Sequence, residues 1–341
     1  MSQIDPLISQ LYFWEAVDFS NHIDIHILLP NNFHSETLKT DIIDNQYIIC
    51  SLPNSPPIVA GKLFDDIKKV NTYVENGSTF VISMEKVRQS QWGIIVVGPM
   101  RNDNIIDPQS AYVLGKLTID SINNNSVPQD QIQEQYTNAN ALMNLSASTK
   151  FPPALLYLYD CINGQDPELS MRFLEIAAIE YHYPGAILRL AFLSFQKNDM
   201  DKALHFFQEA YNYGIIEGLN GVGEILSPLS GIEYHSKDPF KAFNCFKECI
   251  EKAEGFAYPH LNISKMYAYG IGTGKNIEKA IYHRNRALEL NSEIESFEID
   301  ESIITKPKIR YTLYMAIGVG ALAALAGYLI YRKKSLKEKQ Q

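Results

Sequence analysis

Over the first hundred residues, apolar positions recur every second residue in short bursts. His22-Ile23-Asp24-Ile25-His26-Ile27 alternates strictly and places its three isoleucines on one face. Tyr47-Ile48-Ile49-Cys50 and Thr79-Phe80-Val81-Ile82-Ser83-Met84 are further strand-like runs. Leu29-Pro30-Asn31-Asn32, Pro53-Asn54-Ser55-Pro56-Pro57 and Asn76-Gly77 separate them with residues that turn a chain. Short strands at this spacing, without helical period, predict an antiparallel β-sandwich between residues 10 and 97.

From about Phe151 the pattern becomes helical with a long internal period. Met171, Ala203, Ala242 and Ala280 head four similar segments, 32, 39 and 38 residues apart, and a small residue (Ala178, Ala210, Cys249, Ala287) follows each by seven. Small residues where helices cross, repeated at this length, predict stacked helical hairpins, an α-solenoid over residues 151–290. The clearest unit runs from Ala257 to Leu290, with Gly270 and Gly272 in its inter-helix loop, where the chain needs positive φ. Elsewhere that loop is replaced by Gln196-Lys197-Asn198-Asp199 and by a long insert between Pro228 and Pro239. On such a scaffold Arg189, Phe192 and Asn220 are candidates to face a concave groove. Residues 123–150 are Gln- and Asn-rich and read as a polar linker, with a helix from Tyr136 to Leu145 that caps the array.

The third pattern is a run of 21 residues without charge, from Tyr311 to Tyr331. A helix of that length spans ~31 Å, against ~30 Å of bilayer hydrocarbon, and predicts a single transmembrane helix. Tyr311, Tyr314, Tyr328 and Tyr331 stand near its two boundaries, where tyrosine favours a membrane interface. Residues 291–310 form an acidic-to-basic tether ahead of it. Ala316, Gly320 and Ala324 are spaced by four, which either brings two helices into close contact as a homodimer or merely lowers hydrophobicity. Met1 to Gln10 lacks the basic and apolar regions of a secretory signal, so the bulk of the chain is expected in the cytosol.

Charge sharpens this division. The chain carries net −9; residues 306–341 hold eight bases and one acid, leaving −16 on the rest. An acidic body repels nucleic-acid phosphate, so no nucleic-acid partner is expected. Four cysteines (Cys50, Cys161, Cys245, Cys249) form no CxxC. Cys245 and Cys249 lie one helical turn apart, but nothing completes a metal set at familiar spacing. His22, Asp24 and His26 share a strand face and read as a solvated surface. Gly270-Ile271-Gly272-Thr273-Gly274-Lys275 fails as a phosphate loop: Tyr269 stands where its first glycine belongs and Asn276 where Ser or Thr does. No catalytic constellation is present, so no enzyme, cofactor or metal is expected.

Two resemblances follow. Phe13-Trp14, Leu28-Leu29-Pro30, Pro57-Ile58-Val59-Ala60-Gly61-Lys62-Leu63, Tyr73-Val74-Glu75-Asn76-Gly77, Ile82-Ser83-Met84-Glu85-Lys86 and Trp92 occur in an order that resembles the CS (p23-like) domain of the NudC family. Asp107-Pro108 and Gly115-Lys116-Leu117-Thr118 resemble that family's helical extension, so the likeness covers residues 8–122. Trp14, Pro30, Pro57, Gly61, Lys62 and Trp92 form the signature, mainly structural. Family members often carry Trp where Tyr73 and Gly93 stand here. Met266-Tyr267-Ala268-Tyr269-Gly270-Ile271-Gly272, followed by Asn276-Ile277-Glu278-Lys279-Ala280, resembles a Sel1-like repeat, a relative of the tetratricopeptide repeat.

These resemblances imply an α+β multidomain chain without catalysis. It would be a membrane-tethered co-chaperone or adaptor that engages a chaperone of the Hsp90 class or unfolded clients, and a second protein through its repeats. The mild span with basic flanks is similar to tail anchors of the mitochondrial outer membrane or peroxisome, with the endoplasmic reticulum second. The alternative is a lumenal quality-control scaffold in the endoplasmic reticulum, to which the Asn-X-Ser sequons at Asn76, Asn124, Asn144 and Asn262 would belong.

Overall fold

The computed structural model describes residues 2–101, 104–295 and 297–299, and the chain divides between Tyr181 and His182 into two compact units. The predicted span from Tyr311 to Tyr331, with Ala316, Gly320 and Ala324, lies outside the described residues. Among the described residues no helix is long and apolar enough to cross a membrane.

The first unit opens with a short 3-10 turn, Pro6–Tyr12, and eight strands. These are β1 (Glu15–Asp18), β2 (His22–Leu28), β3 (Lys39–Ile43), β4 (Tyr47–Ser51), β5 (Val59–Leu63), β6 (Ile67–Glu75), β7 (Thr79–Lys86) and β8 (Val96–Gly98). They form two antiparallel four-stranded sheets, ordered β1-β2-β7-β6 and β3-β4-β5-β8. The isoleucine alternation of β2 is realised: Ile23, Ile25 and Ile27 are fully buried. Asn76 and Gly77 both take positive φ, 50° and 68°, which suits the tight turn of the β6–β7 hairpin. At Gly61 φ is 144°, and a Cβ there would stand 2.5 Å from the Gly98 carbonyl oxygen, so only glycine lets β8 approach β5.

Four helices complete this unit: α1 (Pro108–Asn123), α2 (Ile132–Ser148), α3 (Pro152–Ile162) and α4 (Pro167–Glu175), the last continuing into a π-type turn, Ile176–Glu180. Most of the stretch that composition marks as a polar linker is thus helix α2. A narrow stripe of Ala139, Met143, Ser146 and Ala147 is buried, which is enough to hold a helix whose remaining faces are polar. The hairpin α3/α4, expected in the repeat region, packs within this first unit.

The second unit contains α5 (Pro184–Gln196), α6 (Met200–Asn212), α7 (Ile216–Leu226), α8 (Pro239–Lys252), α9 (Ala257–Tyr269) and α10 (Ile277–Leu290). They pair as hairpins α5/α6, α7/α8 and α9/α10, and α6 packs on α7 and α8 on α9. The helices starting the hairpins, α3, α5, α7 and α9, begin after an apolar residue (Phe151, Tyr183, Ile215, Phe256) with no side-chain cap. The returning helices α4, α6, α8 and α10 begin at Asp166, Asp199, Asp238 and Asn276, whose side chains each accept the N–H three residues on. The repeat is therefore written at the helix starts: a buried apolar plug for one, a polar cap for its partner. The small residues predicted at helix crossings sit on the returning helices; Ala203, Ala210, Ala242, Cys249, Ala280 and Ala287 are fully buried. Gly270 ends α9 in the left-handed region, and Gly272 also has positive φ, 71°, as the inter-helix loop requires.

The long insert before α8 is closed by one lysine. Lys237 Nζ donates to the Ile225 carbonyl at 2.8 Å, the Ser227 carbonyl at 3.0 Å and Ser230 Oγ at 3.3 Å, so it satisfies groups left open at the end of α7. The predicted tether does not start free. Ile294 and Phe297 pack onto Ala257, Leu261 and Ala287 of the last hairpin.

Candidate protein-binding surface

Equivalent positions on the three helices that open the hairpins of the second unit are Arg189, Asn220 and Asn262. Each follows a leucine, in Leu188-Arg189, Leu219-Asn220 and Leu261-Asn262. The leucines are buried, which sets the polar neighbour on a common side of each helix. Helix α7 holds the row together. A Cβ on Gly221 would stand 2.6 Å from the Phe207 ring of α6, and one on Gly223 at 2.6 Å from the Phe246 ring of α8. Both rings are almost completely buried, so α7 is thinned to glycine where its neighbours press in.

The polar row is a connected network. Asn220 Nδ2 donates to Glu224 Oε1 at 2.8 Å. Asn262 Nδ2, one hairpin further on, reaches the same Glu224 oxygen at 3.3 Å and Asn220 Oδ1 at 3.4 Å. Desolvation raises the Glu224 pKa, while the hydrogen bonds from Asn220 and Asn262 and the charge on Lys265 oppose that shift. Lys265, also buried, is pushed down to about 8 by desolvation, against the attraction of Glu224 and Glu295. Two amides, a carboxyl and an amine thus lie across adjacent repeats, with Asn220 and Lys265 buried and the two amides bonded to Glu224 and to each other, while Asn262 and Glu224 are half-buried.

A second polar cluster joins α9 to α10. His260 Nδ1 and His283 Nδ1 are 3.0 Å apart, so one ring donates and the other must be bare at that nitrogen. Tyr267 stacks on His283 at 5.8 Å, and Lys279 Nζ lies 5.3 Å from the Tyr267 ring centre. Burial, then the charges of His260 and Lys279, push His283 down to about 4.

The three groove candidates named from the sequence take different places. Arg189 and Asn220 belong to this polar row, and Phe192, half-buried, packs edge-on to Phe207 at 5.1 Å. Asn262, Glu224 and Lys265 were missed, although the repeated Leu-Asn pair was a signal for the first. Asn262 belongs to a sequon, yet it lies inside α9, and Ser264 of that sequon is buried and donates to the Ala280 carbonyl at 2.6 Å. Gly270 to Lys275 is the loop between α9 and α10.

In the first unit the signature residues divide. Trp14 and Trp92 are buried and Gly61 is sterically required, whereas Pro30 and Pro57 are half-buried and Lys62 is exposed. Trp92 belongs to a cluster that sequence reasoning missed. The nearly inaccessible Lys86 Nζ donates to Asp18 Oδ1 at 2.5 Å, to the Phe19 carbonyl at 2.7 Å and to the Ser90 carbonyl, while Asp18 also accepts the Trp92 N–H. His22, Asp24 and His26 lie half-buried on the outer side of β2, with His22 Nε2 3.7 Å from Asp24. Tyr73 and Gly93 are exposed. Cys245 and Cys249 are buried on α8, and burial raises both thiol pKa values, to about 11 for Cys245. Among the described residues no group of His, Cys, Asp or Glu is arranged to hold a metal.

No protein-family model and no curated protein matches the chain. Solved structures do. A Sel1 repeat protein from Oxalobacter formigenes matches at 24% identity over 54% of this chain and 52% of its own, with a TM-score of 0.38. The protective antigen c5321 of uropathogenic Escherichia coli, described as an SLR fold, matches at 17% identity over 55% of this chain and 39% of its own, TM-score 0.44. A nuclear movement protein from E. cuniculi GB-M1 matches at 17% identity over 25% of this chain and 98% of its own, TM-score 0.22. The chain thus spans about half or less of the length of the two repeat proteins it matches. At TM-scores below 0.5 these likenesses carry no weight, and the helical-repeat description stands on the hairpins, their caps and their buried crossings.

Proposed function

We propose that this chain is a non-enzymatic adaptor, tethered to a membrane by residues 311–331, that holds other polypeptides. Its helical repeats, read as Sel1-like, grip one partner. Its N-terminal sheets, read as a CS (p23-like) domain, engage a chaperone of the Hsp90 class or an unfolded client. In this reading the span directs it to the mitochondrial outer membrane or the peroxisome, with the endoplasmic reticulum second, and its bulk stays in the cytosol. What supports the adaptor reading is the Asn220–Glu224–Asn262–Lys265 network laid across adjacent repeats. Asn262 and Glu224 are the half-exposed members of that network, and an amide beside a carboxyl suits the backbone of an extended peptide, which presents alternating N–H and C=O groups. Exposed sheet edges in the first unit offer the same backbone chemistry to a client strand.

The test uses the full chain in detergent micelles. It is expected to suppress aggregation of a thermally unfolding test client, or to bind an Hsp90-class chaperone, at micromolar concentration. Asn220→Ala with Asn262→Ala should weaken capture of a repeat-bound partner by about tenfold, because it removes the half-exposed amide and the buried one that orients it. Absence of both activities removes the chaperone role. Unchanged partner capture by the double variant removes the polar row as the binding surface.

A further inference from the structure

Strand β6 is the outermost strand of its sheet, paired only with β7. Between Lys68 and Glu75 every residue is exposed except Val70, which is half-buried. Its register on β7 sets Val70, Thr72 and Val74 opposite Met84, Ile82 and Phe80. Those residues in turn lie opposite Ile23, Ile25 and Ile27 of β2, the buried face of the sheet. Val70, Thr72 and Val74 therefore continue an apolar face past the point where it is covered, and Val74 is 41% exposed. Lys69, Asn71, Tyr73 and Glu75 occupy the opposite face. Lys68 is tied to Glu85 of its own sheet at 3.1 Å, whereas Lys69 and Glu75 form no ion pair among the described residues.

We infer that β6 pairs antiparallel with β6 of a second copy of this chain, about a two-fold axis that sets Thr72 opposite itself. In an antiparallel pair, facing residues point to the same side, so a two-fold perpendicular to the sheet must run midway between one residue and the same residue of the second copy, here Thr72. Centred on Thr72, Lys69 faces Glu75 of the second copy, Asn71 faces its Tyr73 and Val70 faces its Val74, each contact made twice. The two opposite charges stand three residues either side of Thr72, so the strand is its own electrostatic complement. The paired valines cover each other's open apolar edge. Centring on Asn71 instead sets Lys69 against Tyr73 and Lys68 against Val74. Centring on Tyr73 sets Asn71 against Glu75 and carries Lys69 beyond the strand end. Neither of those registers pairs the charges, and a partner strand of unrelated sequence gains nothing from this symmetry.

The full chain in detergent micelles tests this by sedimentation. The wild-type chain is expected to dimerise reversibly. Lys69→Glu or Glu75→Lys alone puts like charges opposite each other at two places and should loosen the dimer by about tenfold. The double exchange, Lys69→Glu with Glu75→Lys, restores the attraction and should return affinity to within about threefold of wild type. Thr72→Cys should cross-link to itself under mild oxidation, since directly facing Cα atoms lie within disulfide range. Tyr73→Cys should not, being displaced by two residues from its own copy. The exposed Cys161 is present in both variants and supplies the same background. All four positions are exposed, so the variants keep the fold. A chain that stays monomeric overturns the proposal. So does a dimer indifferent to the charge changes with no preference for cross-linking at Thr72, because its contact then lies elsewhere, in the membrane span or on another face.

Discussion

Asp107 shows how a single buried side chain can fasten a helix to a sheet. Its Oδ2 accepts the Ala60 N–H of β5 at 3.0 Å, its own N–H donates to the Ala60 carbonyl at 3.0 Å, and its Oδ1 caps α1 through the Ser110 N–H at 2.8 Å. Burial nonetheless outweighs these bonds and raises its pKa to about 6. An acid whose folded pKa exceeds its unfolded value favours the fold most when protonated. Its contribution is therefore largest below about pH 4 and falls as pH rises through 6, by about 3 kcal/mol in all. Asp107→Asn does not titrate, so the stability advantage of the wild-type chain over it in urea unfolding should shrink between pH 4 and pH 7. An advantage that grows over that window would contradict this account. In the sequence Asp107-Pro108 marked only a helical extension, and neither the cap nor the burial was legible, because an isolated acid before a helix looks the same at a surface. Lys86 and Asp18 escaped notice for the same reason: a buried ion pair is two ordinary surface residues until the fold joins them.

At the scale of elements, α7 depends on absence of side chain. Glycine inside a helix costs about 1 kcal/mol relative to alanine, so propensity alone predicts that Gly221→Ala stabilises. The Phe207 ring, 2.6 Å from where that methyl would stand, reverses the sign. Overpacking of this kind costs about 1–3 kcal/mol, and the variant should be less stable in urea by about 1 kcal/mol or more. Combining it with Phe207→Leu should cost less than the sum of the two single changes, because the smaller side chain yields the space. The same contrast explains which elements could be read in advance. Strand β2 lies inside its sheet with one face buried, and its period of two survived in the sequence. Strands β1, β3 and β6 are edges with little burial on either face, so selection for alternation was weak and they carried no clear pattern. Helix α2 was legible only between Tyr136 and Leu145, because glutamine and asparagine on its exposed sides read as linker toward its ends. The repeat was legible through small residues at the helix crossings, and the polar row only through a recurring Leu-Asn pair, which is too short a signal to stand out alone.

For the molecule as a whole, charge and hydrophobicity make opposite demands on a membrane. The portion before residue 306 carries −16 and is repelled by anionic lipid, so peripheral adsorption of that portion is unfavourable. In the proposed tether the hold is insertion of residues 311–331, driven by apolar transfer that salt does not screen. Association should therefore survive both high salt and alkaline carbonate. Truncation after Lys308 leaves all the described residues and should release the protein to the soluble fraction, with both compact units intact by circular dichroism and urea unfolding. Fixing the body to a surface also confines it to two dimensions beside its partners, which raises effective concentration without new contacts. The weak sites proposed above, an exposed strand edge and a polar helical row, would gain most from that confinement. Extraction of the full chain by carbonate would mean the span is not in lipid, and the tethering on which that gain depends would fall with it.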